Sequence, residues 1–243
     1  MGAGTMVLVA GAMHGAWVWD RVTPILAAAG WRVVAEDLPG MGRRRGADAD
    51  AVTLDDWGDF VADLARAVPA PVVLAGHSRG GLVIGEAAER APEAIAGLIY
   101  VAAMIARPGE TGMEAGRDPG RAPPQPAPVP QTAMLPTPAA RDLFYNLCSK
   151  ADAAAALARL EPEPPRPLHT PASVSWARWG RLPRGYVECR HDNTLSLARQ
   201  RRFQTQAPCD PVVTLDTDHS PFLSAPGALA AAMLRMGAAF TAS

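Results

Sequence analysis

Gly76-His77-Ser78-Arg79-Gly80 has the spacing G-x-S-x-G, in which a strand turns sharply into a helix and holds a serine in a strained, exposed conformation. The surroundings suit that turn. An apolar run, Val72 to Ala75, precedes it and is too short for anything but a buried strand, and a helical stretch to about Ala91 follows. Gly76 and Gly80 leave room for the turn, and Gly81 lets the helix lie close on a sheet. His77, inside the turn, reads as structural. A serine hydroxyl is a weak nucleophile, so it needs a histidine to take its proton and a carboxylate to hold that histidine in one tautomer. Of the five histidines, His169, His191 and His219 follow the serine. His219, in Asp218-His219-Ser220-Pro221-Phe222, lies between the last expected strand and the closing helix and is taken as the base. Asp192, in the loop after the fifth expected strand, is the preferred acid. Asp210, Asp216 and Asp218 are rivals, the last two suited to hydrogen bonding within the histidine's own loop. His191 is expected to be exposed and His169 to belong to an inserted segment.

A tetrahedral intermediate needs donors aimed at its oxyanion. The backbone N–H of Arg79, directly after the serine, is one candidate. The loop after the first strand, Ala10-Gly11-Ala12-Met13-His14-Gly15, should supply the other, assigned to Ala12. Met13, His14, Trp17, Trp176 and Trp179 are candidates for a substrate pocket, although the tryptophans suit core packing equally well.

These residues need a scaffold that brings loop ends together. Short apolar runs at Met6 to Ala10, Trp31 to Glu36, Val72 to Ala75, Ile95 to Ala102, Tyr186 to Cys189 and Pro211 to Leu215 alternate with helical stretches, including Asp20 to Ala29 and a helix from Leu54 to Ala67 capped by Thr53. Such alternation implies an α/β fold with a mostly parallel six-stranded sheet and helices on both faces. Residues 104–183 break the pattern with clustered prolines and read as an inserted cap, dividing the core into residues 1–103 and 184–243. The first part of the insertion is expected to be an extended loop, and the Ala-rich Thr137 to Leu160 one or two helices.

The 243 residues, 49% hydrophobic and with a formal net charge of -1, suit one domain with no field to gather nucleic acid or anionic lipid. No apolar run spans a bilayer and no signal-peptide pattern opens the chain, so a cytoplasmic protein with a small-molecule substrate is expected. The oligomeric state stays open, a homodimer being one option. Cys148, Cys189 and Cys209 have neither zinc nor disulfide spacing and read as buried packing, so no metal site is expected. Lys150 is the sole lysine, which removes Schiff-base chemistry from most of the chain.

Val7 to Trp19, Asp37-Leu38-Pro39-Gly40, the serine turn and His219-Ser220-Pro221-Phe222 together resemble the methyl-salicylate and methyl-jasmonate esterase and hydroxynitrile lyase group of α/β-hydrolases, nearly end to end. Ser173 to Arg184 resembles the cap-to-core return of bacterial relatives, and Asp192 stands where they place the acid. The resemblance implies the α/β-hydrolase fold and no cofactor. It also implies hydrolysis of a small, apolar or aromatic carboxylic ester through a serine acyl-enzyme. Cyanohydrin cleavage, a non-hydrolytic biosynthetic step such as cyclisation or dehydration, and ligand binding on a hydrolase fold are the alternatives. The group's plant lyases carry a lysine after the histidine and a threonine in the oxyanion loop, where this chain has Ser220 and Gly11. Two departures from the group are Ala10, where a histidine is usual, and Arg79, where plant relatives have an apolar or aromatic residue; Arg79 could serve a carboxylate-bearing substrate or pair with a helix carboxylate.

Overall fold

The structure, a computed structural model, describes residues 3–46, 48–117, 135 and 137–242. Six strands, β1 (Gly4–Val9), β2 (Trp31–Ala35), β3 (Val72–His77), β4 (Gly97–Val101), β5 (Arg184–Cys189) and β6 (Val212–Leu215), form one sheet in the order β2-β1-β3-β4-β5-β6. Every neighbouring pair is parallel. The helices are α1 (Thr23–Ala28), α2 (Leu54–Ala67), α3 (Gly80–Arg90), α4 (Gly112–Ala115), α5 (Thr137–Phe144), α6 (Lys150–Leu157), α7 (Leu197–Gln206), α8 (Pro221–Ser224) and α9 (Pro226–Thr241). The four inner strands are almost wholly buried because helices cover both faces, which is why they read as unbroken apolar runs. Alternate residues go to opposite faces: Val7, Leu74 and Leu98 pack with Trp57 and Val61 of α2, and Leu8, Val73 and Ile99 with Leu26 of α1 and Met233 of α9. Parallel strands also put all their C-terminal ends on one side. The loops carrying Ala12, Ser78, Asp192 and His219 leave the ends of β1, β3, β5 and β6 there, and β1 and β3 flank the point where strand order reverses.

Helix α2 matches its expected bounds, with a reciprocal capping box between Thr53 and Asp56. The helix expected over Asp20 to Ala29 starts at Thr23, since Ala16–Trp19 forms a separate 3-10 turn and Pro24 suits a first helical turn. Strand β3 runs two residues past its expected end, because Gly76 and His77 still pair with Tyr100 and Val101.

Between β4 and β5, residues 104–106 are buried against the core. The expected extended loop falls largely on residues 118–134 and 136, outside the described residues. The Ala-rich stretch forms α5 and α6, whose Ala140, Phe144, Ala153 and Ala156 make an apolar cluster with Met13. The chain then returns along α3. Glu86 accepts from Ser173 N–H at 2.7 Å, and Glu89 from Ser175 N–H at 2.7 Å and Trp179 N–H at 3.2 Å.

His14 joins that cluster to the loop after β1. Its Nδ1 lies 2.5 Å from the Ala12 carbonyl oxygen and therefore carries the proton, leaving Nε2 to accept from the Tyr145 hydroxyl at 2.6 Å. Burial pushes its pKa from 6.5 down to about 3, and buried His77 is shifted the same way. The unfolded chain thus binds protons that the folded one refuses. Stability from His14 is complete above pH 6.5 and is lost as pH falls from 6.5 towards about 3, at up to about 1.4 kcal/mol per pH unit. In urea titrations at pH 7.5, 6.0 and 5.0, His14→Gln should be less stable than wild type at the highest pH yet decline less steeply. An unchanged slope would remove His14 from the titration.

Candidate active site

Ser78 occupies the left-handed region with φ 54°, between the last residue of β3 and the start of α3. Its backbone is held from both sides. Ser78 N–H donates to Val101 O at 3.1 Å, and Ser78 O accepts from Gly81 N–H at 3.1 Å and Met104 N–H at 3.0 Å. Glycine is required nearby, since a Cβ on Gly76 would lie 2.5 Å from Gly80 O and one on Gly81 2.2 Å from Met104 O.

The Ser78 hydroxyl oxygen lies 2.9 Å from His219 Nε2, and His219 Nδ1 lies 2.7 Å from Asp192 Oδ2. With the proton on Nδ1 directed at the carboxylate, Nε2 is free to accept from the serine. The three residues are 7%, 1% and 6% exposed for Ser78, His219 and Asp192, so their interactions are shielded from bulk water. The other oxygen of Asp192 accepts from Thr194 and Leu195 N–H, both at 2.7 Å. Gln200 of α7 braces that loop by accepting from Cys189 N–H at 2.9 Å and donating to Leu195 O at 2.7 Å. His77 Nε2–H donates to His219 O at 2.7 Å, and the Phe144 ring stacks on His219 at 5.8 Å. Such an arrangement can pass a proton from the hydroxyl to the imidazole while the carboxylate stabilises the charge formed.

Among the described residues no hydrogen bond takes up the N–H of Ala12 or of Arg79. The Arg79 side chain is buried and turns back beneath the loop after β1. Nη2 donates to Gly11 O at 2.8 Å, Nε forms an ion pair with Glu163 Oε2 at 2.9 Å, and the guanidinium lies 4.1 Å over the Trp57 ring. Its carboxylate partner comes from a loop segment after α6 and not from a helix. The same Glu163 oxygen accepts from Met13 N–H at 3.1 Å.

The three tryptophans expected in the pocket are elsewhere. Trp179 is a core residue between α3 and the sheet, its indole N–H donating to the Tyr100 hydroxyl at 3.0 Å, and Trp176 lies tilted against it at the surface, 49% exposed. The hydrogen bonds of Glu89 draw this segment onto the helix flank, away from the serine. Trp17 lies on the outer side of the loop, 5.5 Å from the His14 ring and stacked by Arg159. It lines an open groove of about 960 Å³ whose wall includes none of Ser78, Asp192 and His219. Met13 is buried under α5 and α6, and both ring nitrogens of His14 are engaged. His191 is exposed and pairs with Asp216 at 2.7 Å. Asp218 is buried and holds two segments together, accepting from Leu147 N–H at 2.9 Å and from the Ser224 hydroxyl at 2.8 Å.

Sequence reasoning missed Glu163, Gln200 and the contact of Phe144 with His219. Gln200 had a signal, a polar residue one turn before buried Phe203 on the same helix face. Glu163, within Glu161-Pro162-Glu163-Pro164-Pro165, had none. Among the described residues no cluster of His, Cys, Asp and Glu could hold a metal ion, and no helix is long and apolar enough to cross a membrane.

A family model described as alpha/beta hydrolase family matches residues 6–232. The chain is 29% identical over 257 residues to a pyrethroid hydrolase of Sphingobium wenxiniae, covering 94% of this chain and 85% of that one. It is also 29% identical over 240 residues to methyl jasmonate esterase 1 of Vitis vinifera, covering 90% and 91%. The crystal structure of a methylesterase from Arabidopsis superposes with a TM-score of 0.80 at 28% identity, covering 95% of this chain and 97% of that one. These relatives bear out the resemblance to the ester-cleaving group drawn from the motifs. With the family model spanning nearly the whole chain over a six-stranded parallel sheet, the protein belongs to the alpha/beta hydrolase family, in the company of its carboxylic ester hydrolases.

Proposed function

We propose that the protein hydrolyses a carboxylic ester of a small, largely apolar or aromatic substrate through a Ser78 acyl-enzyme. The observation that carries this reading is the continuous hydrogen-bond chain from Ser78 through His219 to Asp192. In the first half-reaction His219 Nε2 takes the hydroxyl proton as Ser78 Oγ attacks the ester carbonyl, and the imidazolium returns it to the departing alkoxide. In the second, His219 deprotonates a water that attacks the acyl-serine, releasing the acid and restoring the hydroxyl. The oxyanion of each tetrahedral intermediate faces Ala12 and Arg79 N–H, and losing one such donor typically costs about 2.7–4 kcal/mol of transition-state stabilisation.

The chemistry around the serine favours a neutral acyl group. The Phe144 ring lies against His219 and joins Met13 in an apolar cluster, the Arg79 cation is neutralised by Glu163, and Lys150 is exposed on α6. The methyl jasmonate esterase among the relatives adds support for a small ester.

Ser78→Ala should lower ester turnover by a factor on the order of 10⁶ with the fold intact, checked on aryl acetates alongside circular dichroism. Retention of a tenth of wild-type turnover would sink the acyl-enzyme. Asp192→Asn should lose about 10⁴ because the amide holds the wrong imidazole tautomer. Asp216→Asn, at a surface pair with His191, should lose little; the reverse order would move the acid to Asp216.

Cyanohydrin cleavage is disfavoured by two positions. Ser220 brings no ammonium to stabilise a departing cyanide, and a desolvated anion without such a partner is costly. At Gly11 even a Cβ would lie 2.8 Å from both His77 Nδ1 and Ser78 Cβ, so a threonine has no room. Mandelonitrile should therefore release cyanide at the uncatalysed rate, measured by a colorimetric cyanide assay. Release that depends on Ser78 and His219 would overturn this expectation.

A further inference from the structure

We propose that Arg79 and Glu163 are positioning residues that aim the oxyanion hole, a role that rests on the esterase reading above. The reasoning turns on one planar peptide unit. The carbonyl of Gly11 and the N–H of Ala12 belong to the same peptide and point in opposite directions, so whatever fixes the oxygen also fixes the hydrogen. Arg79 Nη2 donates to that oxygen at 2.8 Å. Residue 79 thus supplies one oxyanion donor from its own backbone and orients the other with its side chain. A cation on the carbonyl also polarises the peptide and strengthens its N–H as a donor.

The next peptide is clamped at both ends as well. The Ala12 carbonyl accepts from His14 Nδ1 at 2.5 Å, and the N–H of Met13 donates to Glu163 Oε2 at 3.1 Å. Met13 has φ 61°, a conformation disfavoured for a residue with a side chain, so the loop needs external contacts to hold it. Glu163 is the only described residue tied both to this loop by a side-chain hydrogen bond and to Arg79 by an ion pair. Both side chains are buried, at 2% exposed for Arg79 and 10% for Glu163. Apolar side chains of similar volume could fill such a space without the desolvation that two charges incur. What they could not do is hold Gly11 O and Met13 N–H.

The test compares wild type with Arg79→Met, Glu163→Gln and the double variant R79M/E163Q, each of which keeps the backbone N–H of residue 79. Aryl-acetate kinetics, inhibition by an aryl trifluoromethyl ketone and thermal melting are measured for all four. The ketone is the probe of the hole, since its serine adduct carries the oxyanion. Glu163→Gln alone leaves a buried unpaired cation and should melt lower or fail to fold. The double variant removes both charges and should regain thermal stability, so it carries the test. Its kcat should fall by about 10- to 100-fold with KM little changed, and the ketone should weaken by the same factor. Recovery of wild-type kcat together with the melting temperature would show that the pair only holds the fold and would overturn the proposal. A loss confined to KM would do the same, by placing Arg79 against substrate. If wild type turns over no ester yet is labelled at Ser78 by a fluorophosphonate, the esterase reading alone fails. The labelling rates then decide: slower in the double variant supports the positioning role, and equal rates overturn it. If wild type is neither turned over nor labelled, both readings fall.

Discussion

Ser78 can keep its left-handed backbone because three hydrogen bonds, two of them from beyond its own turn, act on the same residue. A non-glycine residue in such a region costs of order 1–3 kcal/mol and persists only where its surroundings over-determine it. Here Val101 O fixes the amide, Gly81 and Met104 fix the carbonyl, and the helix after the turn sits close enough to the sheet that a side chain at Gly76 or Gly81 would collide with backbone. That close approach depends on β3 pairing with β1 and β4 on either side, in the middle of the sheet. The direction of Ser78 Oγ therefore follows from the central strand order.

The other groups of the site are fixed by partners from different elements. Asp192 is braced by Gln200 from α7 and aligned on His219, whose carbonyl is held by His77 from the serine turn. Asp218, one residue from the base, accepts backbone N–H groups of the α5–α6 connection, so the histidine loop and the overlying helices are joined through one buried carboxylate. A buried polar group left unmatched costs about 1–3 kcal/mol. Pairing across elements avoids that cost and makes the site stiff, because no loop can shift without breaking a bond to its neighbour. The proposed acyl-enzyme would draw on this stiffness, since donors already aimed at a developing charge need no reorganisation during reaction.

Much of this was legible in the chain. Continuous apolar runs marked the inner strands because parallel strands are buried on both faces, and Thr53 as an N-cap marked the start of α2. That Ser78, His219 and Asp192 would meet was readable from their positions after particular strands, since parallel strands deliver their C-terminal loops to one side. The weakest readings concerned tryptophans. Trp176 and Trp179 have the composition of a pocket wall, but an aromatic ring suits a core equally well and nothing in its neighbours says which.

Local spacing thus determined which residues could perform the chemistry and which elements would carry them. Tertiary structure alone decided what holds them. Glu163 lies 84 positions from Arg79 and 150 from Met13, and its place among prolines carries no period or motif that would connect it to either. The fate of the Arg79 cation, bound to a carboxylate and a carbonyl, depends on that long-range meeting. Periodicity reports the face a residue presents within its own element, whereas pairing of buried charges is set by where distant loops come together in the folded chain.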